Sequence, residues 1–114
     1  IPQKLFDTVD MLVVPSQAPE SFGLVAAEAM SARVPVIVSD AGALPEVVGE
    51  DYPYIYPAQD PSALVEKIRH LTQAFYQESD NLNDIISAAF WRWQELYSPD
   101  SGRERVRHLL EKYL

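Results

Sequence analysis

The chain has 114 residues, with 17 acidic and 9 basic side chains and a formal net charge of −8 at pH 7. This balance argues against nucleic acid or an anionic membrane surface as a partner, because both require clustered Lys and Arg. The hydrophobic share of 47% and the charged share of 23% are typical of a soluble globular domain. Since the chain lacks cysteine, it has no disulfide framework and no thiolate metal site, and we expect a cytoplasmic location.

The first half of the chain alternates between helical and strand patterns. Met11–Val14 and Val36–Val38 are short continuous apolar runs, which are typical of strands buried on both faces. The residues between them are strong helix formers, and Pro35 ends that helix. The patterns predict helices over 2–9 and 23–33, strands over 11–14, 36–38 and 54–56, and one helical turn at 44–48.

The second half is predicted to be helical. Asp60 and Pro61 suit the N-cap and the first position of a helix. Apolar residues then recur at helical spacing, and the polar segment 77–83 predicts a turn. Two further helices are expected over 84–97 and 103–113, separated by a break at 98–102.

This order of elements indicates an α/β fold with a Rossmann-like parallel sheet, right-handed crossovers and C-terminal helices. Three parallel strands are few for an independent sheet, and the chain opens on Ile1 rather than Met. We therefore expect a partial domain whose remaining strands precede Ile1. An open sheet edge would then favour self-association or domain swapping.

Two carboxylates, Glu20 and Glu28, bracket the start of the second predicted helix in the stretch E-S-F-G-L-V-A-A-E. In an open parallel sheet, ligands bind where the carboxyl ends of strands lead into helices. Free N–H groups near Phe22, Gly23 and Leu24 could bind an anion there, and Gly23 allows close approach because it lacks a Cβ. Glu28 could accept two hydrogen bonds from a vicinal diol, and Glu20 could hold the hydroxyls of a second sugar.

The same stretch has an E-x7-E spacing and resembles the group 1 glycosyltransferases, a large retaining family of nucleotide-sugar enzymes with the GT-B fold. The preceding D-M-L-V-V-P-S and the following A-M-S-A-R-V-P-V-I-V-S-D-A-G-A-L-P-E-V-V are also similar to the family pattern. The resemblance extends from about residue 5 to residue 48, with a looser match in the helices up to residue 97.

This resemblance implies that residues 1–114 are a single partial domain, the nucleotide-sugar-binding half of a GT-B C-terminal domain, with a helical extension over about 84–114. The parent enzyme would transfer a hexose from a nucleotide diphosphate sugar to a saccharide or lipid-linked acceptor, with retention, as in polysaccharide biosynthesis. No cofactor and no metal are implied. The acceptor domain and the basic phosphate-binding residues would lie upstream, so we expect the isolated chain to be inactive and any membrane association to occur through the missing domain.

The resemblance also assigns site residues. Glu20 is placed at the catalytic centre in contact with the donor sugar, and Glu28 is expected to hold the ribose hydroxyls. Two departures from the family pattern are visible, since Arg33 stands where a helix-ending Gly is usual and Ala43 replaces the second Gly of a G-G pair. The donor-binding residues are Ser21, Phe22, Gly23, Leu24 and Glu28.

Other interpretations remain open at this level. Glu20 and Glu28 could be solvated helix residues or, with less support from their separation, a glycosidase acid/base pair. The chain could also be a non-catalytic nucleotide-sugar-binding or interaction module, or a Rossmann-like domain for an unrelated ligand. Simpler structural roles apply elsewhere: turn capping for Ser16, a surface position for Glu46, His70 and His108, core or docking positions for Phe90, Trp91 and Trp93, and a solvated face for Arg103, Arg105, Arg107 and Lys112.

Overall fold

A computed structural model describes residues 10–14 and 21–97, together with positions 107 and 111. The predicted helix over 2–9 lies outside these residues. The last predicted helix, over 103–113, is represented by Arg107 and Glu111, which are both helical and exposed. The elements are β1 (Leu12–Val13), α1 (Ser21–Ser31), β2 (Val36–Ser39), α2 (Leu44–Val48), β3 (Ile55–Tyr56), α3 (Pro61–Tyr76) and α4 (Asp80–Leu96).

The three strands form a parallel sheet in the order β1-β2-β3. Leu12 pairs with Val36 on one side of β2, and Val38 pairs with Ile55 on the other. This arrangement confirms the α/β class and the partial Rossmann-like sheet predicted from the sequence. All four residues of the central strand are buried, as expected for a strand covered on both faces.

The prediction that the first strand is buried on both faces was wrong. Leu12 is half-buried and the side chain of Val13 is 37% exposed. The physical reason is that β1 lies at an end of the strand order, so it has a neighbouring strand on one side only among the described residues. Val14 is outside the strand but still donates its N–H to the carbonyl of Ile37 at 2.8 Å.

Two hydrophobic cores cover the opposite faces of the sheet, because successive side chains of β2 point in opposite directions. Val36 and Val38 belong to the first core, with α1, α2 and Tyr97. Ile37 belongs to the second core, with Tyr54, Tyr56, Leu71 of α3 and Leu82 of α4. The sheet is therefore the middle layer of three.

Helix α4 contributes to both cores. Near its start, Ile85 and Ile86 pack against the second core, whereas Ala89, Trp93 and Leu96 pack against the first. Its helical stripe, predicted from the sequence, therefore serves two faces of the molecule rather than one. Helix α4 therefore packs against the hydrophobic cores on both sides of the sheet.

Helix boundaries differ from prediction at two starts. The helix predicted from residue 84 begins at Asp80, because the Ser79 hydroxyl accepts a hydrogen bond from the N–H of Leu82 at 3.3 Å and caps the first turn. Helix α1 begins at Ser21, two residues earlier than predicted. The start of α3 is confirmed, with the Asp60 carboxylate accepting from the N–H of Ala63 at 3.0 Å.

Two helices end in Schellman motifs that place a non-glycine residue in the left-handed region. After α1, Val34 N–H donates to Ala29 and Arg33 N–H donates to Met30, with Arg33 at φ 60°. After α3, Glu78 occupies the equivalent position at φ 52°. The expectation that Arg33 must form this turn without a glycine is confirmed. Its guanidinium lies 4.1 Å from the centroid of the Phe90 ring.

Candidate functional site

The carboxyl ends of the three strands are joined by hydrogen bonds from side chains and backbone. The Tyr56 hydroxyl donates to the Val14 carbonyl at 3.2 Å, across the width of the sheet. The Asp40 N–H donates to the Tyr56 carbonyl at 2.9 Å, and the Asp40 carboxylate accepts from the N–H of Ala58 at 2.8 Å. Burial raises the pKa of Tyr56, so its hydroxyl stays protonated and able to donate. The ends of all three strands are therefore connected at this edge.

Helix α1 starts at this edge, because it follows β1 in a parallel connection. Ser21, Phe22, Gly23 and Leu24 form its first turn, where the backbone N–H groups lack partners within the helix. Gly23 is buried and Leu24 is half-buried. The structure thus brings the four predicted donor-binding positions of this turn together at the sheet edge.

Glu28 lies on the same helix, four residues beyond Leu24 and so about 6 Å further along the axis. It is half-buried, and its backbone carbonyl accepts from the Ser31 hydroxyl at 2.6 Å. Small residues allow α1 to pack closely against the sheet, since Ala26, Ala27 and Ala29 are all buried. Glu20 and Ser16 lie outside the described residues, so the pairing of Glu20 with Glu28 stays a prediction.

A second loop, residues 39–43, meets the same edge at the end of β2. Ser39 is fully buried, and its hydroxyl accepts from the N–H of Ala41 at 3.3 Å. Gly42 has φ 54°, and a Cβ placed there would have no atom within 4 Å. Ala43 has φ −88° and is buried, so the substitution of the family's second Gly causes no backbone strain.

The loop continues into α2, which is held at its C-terminal end by α4. Arg92 donates from Nη2 to the Glu46 carbonyl at 2.7 Å and from Nε to the Val47 carbonyl at 3.1 Å. The Tyr97 hydroxyl donates to the same Glu46 carbonyl at 3.2 Å. The sequence analysis missed these contacts. The available signal was that Arg92 is the one cation among the residues of α4 and stands between two tryptophans.

Comparison with known proteins identifies the family of the chain. The family described as "Glycosyl transferases group 1" matches residues 2–88, which include the sheet, α1, α2 and α3. The chain belongs to the group 1 glycosyltransferases. The resemblance noted in the sequence is therefore confirmed.

Two curated relatives of this glycosyltransferase chain illustrate the similarity. An uncharacterized glycosyltransferase of Methanocaldococcus jannaschii is 40% identical over 62 residues, covering 53% of this chain and 16% of the relative. A sulfoquinovosyl transferase of Arabidopsis thaliana is 29% identical over 110 residues, covering 75% of this chain and 21% of the relative. The chain spans about a fifth or less of these relatives. No solved structure matches it.

An open cleft of about 450 Å³ lies elsewhere on this glycosyltransferase domain. It runs between α4 and the segment that precedes β3, with Gly49, Tyr52, Ile85, Ala89 and Arg92 among its lining residues. Because this segment leads into the amino end of β3, the cleft is separate from the carboxyl edge that holds α1. Arg92 borders the cleft and also holds α2.

The remaining sequence candidates take structural positions. His70 is exposed, as predicted, although its Nδ1 lies 3.0 Å from the Tyr54 hydroxyl. Phe90 and Trp93 are half-buried with ring centroids 5.9 Å apart, whereas the Trp91 side chain is 62% exposed. Glu46, expected at the surface, is half-buried because α4 covers the end of α2.

The described ranges 10–14 and 21–97 lack both a metal-ligand cluster and a candidate membrane span. They contain no group of three His, Cys, Asp or Glu side chains placed to hold a metal ion. Within the same ranges, no helix has the length and apolar character needed to cross a lipid bilayer.

Proposed function

We propose that this chain forms the nucleotide-sugar-binding half of the donor domain of a retaining glycosyltransferase. The full-length enzyme transfers a hexose from a nucleotide diphosphate sugar to a saccharide or lipid-linked acceptor. The observation that supports this best is the position of α1. Its first turn opens at the carboxyl edge of the parallel sheet, and Glu28 lies about one turn further along the helix.

Each part of this arrangement suits one part of the donor. The N–H groups of Phe22, Gly23 and Leu24 bind the diphosphate, favoured by the positive end of the helix dipole. Glu28 accepts hydrogen bonds from the ribose hydroxyls, and Glu20 contacts the hydroxyls of the transferred sugar. Because an ionised carboxylate is a strong acceptor, each such bond contributes about 1.5–3 kcal/mol.

The rest of the enzyme lies outside this chain in our proposal. The chain spans 16% and 21% of its two relatives, so an acceptor domain and the basic residues that neutralise the diphosphate are assigned to the remainder. With those basic residues, the proposed reaction needs no metal ion or cofactor. The name of the Arabidopsis relative, a sulfoquinovosyl transferase, supports transfer of a sugar group.

The deciding experiment is sugar transfer by the full-length protein. Purified enzyme is supplied with UDP-, GDP- and ADP-hexoses and a set of saccharide and lipid-linked acceptors. Glu28→Ala should reduce the ratio kcat/KM for the donor at least tenfold, because one charged hydrogen-bond acceptor is lost. Glu66→Ala, at an exposed glutamate of α3, is the matched control and should keep wild-type activity. Full activity of Glu28→Ala would refute the assigned role.

The isolated chain provides a second test. We expect weak nucleotide binding without turnover, since the acceptor site and the phosphate-binding cations are absent from it. Titration with UDP, GDP and ADP, followed by amide chemical shifts, should perturb residues 21–24 and 28. If the isolated chain binds nucleotides but the full-length protein transfers no sugar, the two results together would support the alternative of a non-catalytic binding module.

We also propose that the outer edge of β1 mediates self-association of the isolated chain. Among the described residues β1 pairs with β2 alone, and Val13 is part-exposed there. Unpaired strand edges are templates for pairing with another chain. Sedimentation velocity should show dimers that increase with concentration and disappear in Val13→Lys. A wild-type monomer at high concentration would contradict this.

A further inference from the structure

We propose that Arg92 is a positioning residue for the donor site, acting through α2 on residues 39–43, which we call the donor loop. This inference rests on the proposed function, because it assigns the loop to the donor. Arg92 and Tyr97 both lie beyond residues 2–88, the part of the chain that matches the family. They therefore lie outside the part of the chain that the family description covers.

Helix α2 needs external support because of its length. It contains five residues, far fewer than the roughly 12–15 at which an isolated helix becomes marginally stable. The N–H of Gly49 donates to the Pro45 carbonyl at 2.9 Å, and the carbonyls that follow stand at the helix end, where such groups generally bond outside the helix. These are the carbonyls of Glu46 and Val47.

Arg92 donates hydrogen bonds to both of these carbonyls. Its Nη2 and Nε reach Glu46 and Val47 at 2.7 and 3.1 Å, so one planar guanidinium binds two successive carbonyls. A cation at the C-terminal end of a helix is also favoured by the helix dipole. Tyr97 adds a third hydrogen bond, to Glu46.

The backbone next to α2 is shaped around this side chain. Gly49 has φ +97°, and a Cβ added there would lie 3.3 Å from Nε of Arg92. With a Cβ at this position, the guanidinium would have to shift by a few tenths of an ångström. Gly49 therefore makes room for Arg92 at the place where the helix ends.

Backbone hydrogen bonds connect α2 directly to the donor loop. The Val47 N–H donates to the Ala43 carbonyl at 3.0 Å, and the Leu44 N–H donates to the Ala41 carbonyl at 3.3 Å. Leu44, Val47 and Val48 are buried in the first core together with Ala43 of the donor loop, so α2 and the loop share their packing. Release of its C-terminal end would change the orientation of the loop at the sheet edge.

The first test uses hydrogen exchange in the isolated chain and needs no ligand. Arg92→Gln should lower the protection of the Leu44 and Val47 amides about tenfold, while Val38 in the central strand keeps its protection. Arg92→Lys retains the charge but not the planar fork, so we expect an intermediate effect. Arg69→Gln, at an exposed arginine of α3, is the matched control. Equal loss of protection at Val38, or no loss anywhere, would overturn the proposal.

The second test is kinetic and uses the full-length enzyme. Arg92→Gln should raise the donor KM about five- to tenfold, with little change in the acceptor KM or in kcat, and Arg92→Lys should restore part of the loss. A purely structural role would lower the thermal midpoint and the active fraction without changing the donor KM. That result refutes positioning. If the wild-type enzyme transfers no sugar, the proposed function fails, whereas the exchange experiment still decides whether Arg92 orders the loop.

Discussion

The Tyr52 hydroxyl binds both backbone groups of Val36, donating to its carbonyl and accepting from its N–H at 3.1 Å. Val36 is the first residue of β2, and β3 begins pairing only at Val38. Tyr52 therefore acts as a one-residue extension of the third strand, made by a side chain. Its position, just before β3, explains how a sheet with such short strands keeps the buried end of β2 paired.

We expect Tyr52→Phe to destabilise the chain by about 1–3 kcal/mol, because a buried N–H and a buried carbonyl both lose their partner. The ring and its edge-to-face contact with Tyr54, at 6.0 Å between centroids, should remain. Urea unfolding measures the change. Tyr76→Phe is the matched control, since the Tyr76 side chain is 78% exposed, and it should leave the midpoint unchanged. If Tyr52→Phe unfolds at the wild-type urea midpoint, the two hydrogen bonds make no net contribution to the free energy of unfolding.

Stability should fall at alkaline pH. Burial is the main cause that raises the pKa of Tyr52, and it also raises those of Tyr54 and Tyr56, above the ordinary value of 10.0. Above pH 10 the unfolded chain therefore loses protons that the folded chain retains, which favours unfolding. The free energy of unfolding, measured between pH 8 and 11, should be flat at first and then decrease. Tyr52→Phe should reduce the slope above pH 10, and an unchanged slope would contradict the role of this buried hydroxyl.

The two Schellman motifs provide a matched pair of glycine substitutions. Glu78→Gly should stabilise the chain by about 0.5–1 kcal/mol. A left-handed residue with a Cβ costs roughly 1–2 kcal/mol, and the greater entropy of glycine in the unfolded state offsets part of the gain from removing that cost. Arg33→Gly should be nearly neutral, since it also loses the Phe90 contact, about 0.5–1 kcal/mol. Thermal unfolding of both variants gives the difference. Equal stabilisation by the two substitutions would show that the Arg33–Phe90 contact contributes nothing.

Gly49→Ala should destabilise the chain more than Gly42→Ala. Gly42 lies in the left-handed region with open space around it, so its replacement costs about 1 kcal/mol. Gly49 has φ 97° and ψ 135°, a conformation essentially restricted to glycine that costs about 1–3 kcal/mol, and its Cβ would also press on Arg92. Chemical denaturation of both variants checks the order. In the Arg92→Ala background the two costs should become more alike, and the reverse order would contradict the account of Gly49.

Local sequence signals predicted most of the fold. Asp60 and Pro61 start α3 as expected, because capping depends on neighbouring residues alone. The fully apolar run of β2 predicted its burial on both faces. The burial of Leu82 and the helix start at Asp80 were not predicted. Leu82 is a single apolar residue in a polar stretch, so the sequence there has no apolar periodicity that would indicate a helix.

Long-range contacts were beyond the reach of these signals. Arg92 and Val47 are 45 residues apart, and nothing in the pattern around either residue indicates that they meet. The exposure of Val13 likewise depends on where β1 lies in the sheet, which a strand pattern does not encode. At the candidate site, the structure gives the position of the first turn of α1, Ser21 to Leu24, at the sheet edge. The donor-binding roles of these residues and the role of Glu20 stay predictions.

The dual packing of α4 has a consequence for biosynthesis. A chain emerging from the ribosome acquires the strands and α1 first, but neither face of its sheet is fully covered until residues 85–96 arrive. Nascent chains stalled before Asp80 would carry two incomplete apolar faces at once and be good clients for chaperones. A single helix, α4, thus adds cover to both faces of the sheet at the same stage of synthesis.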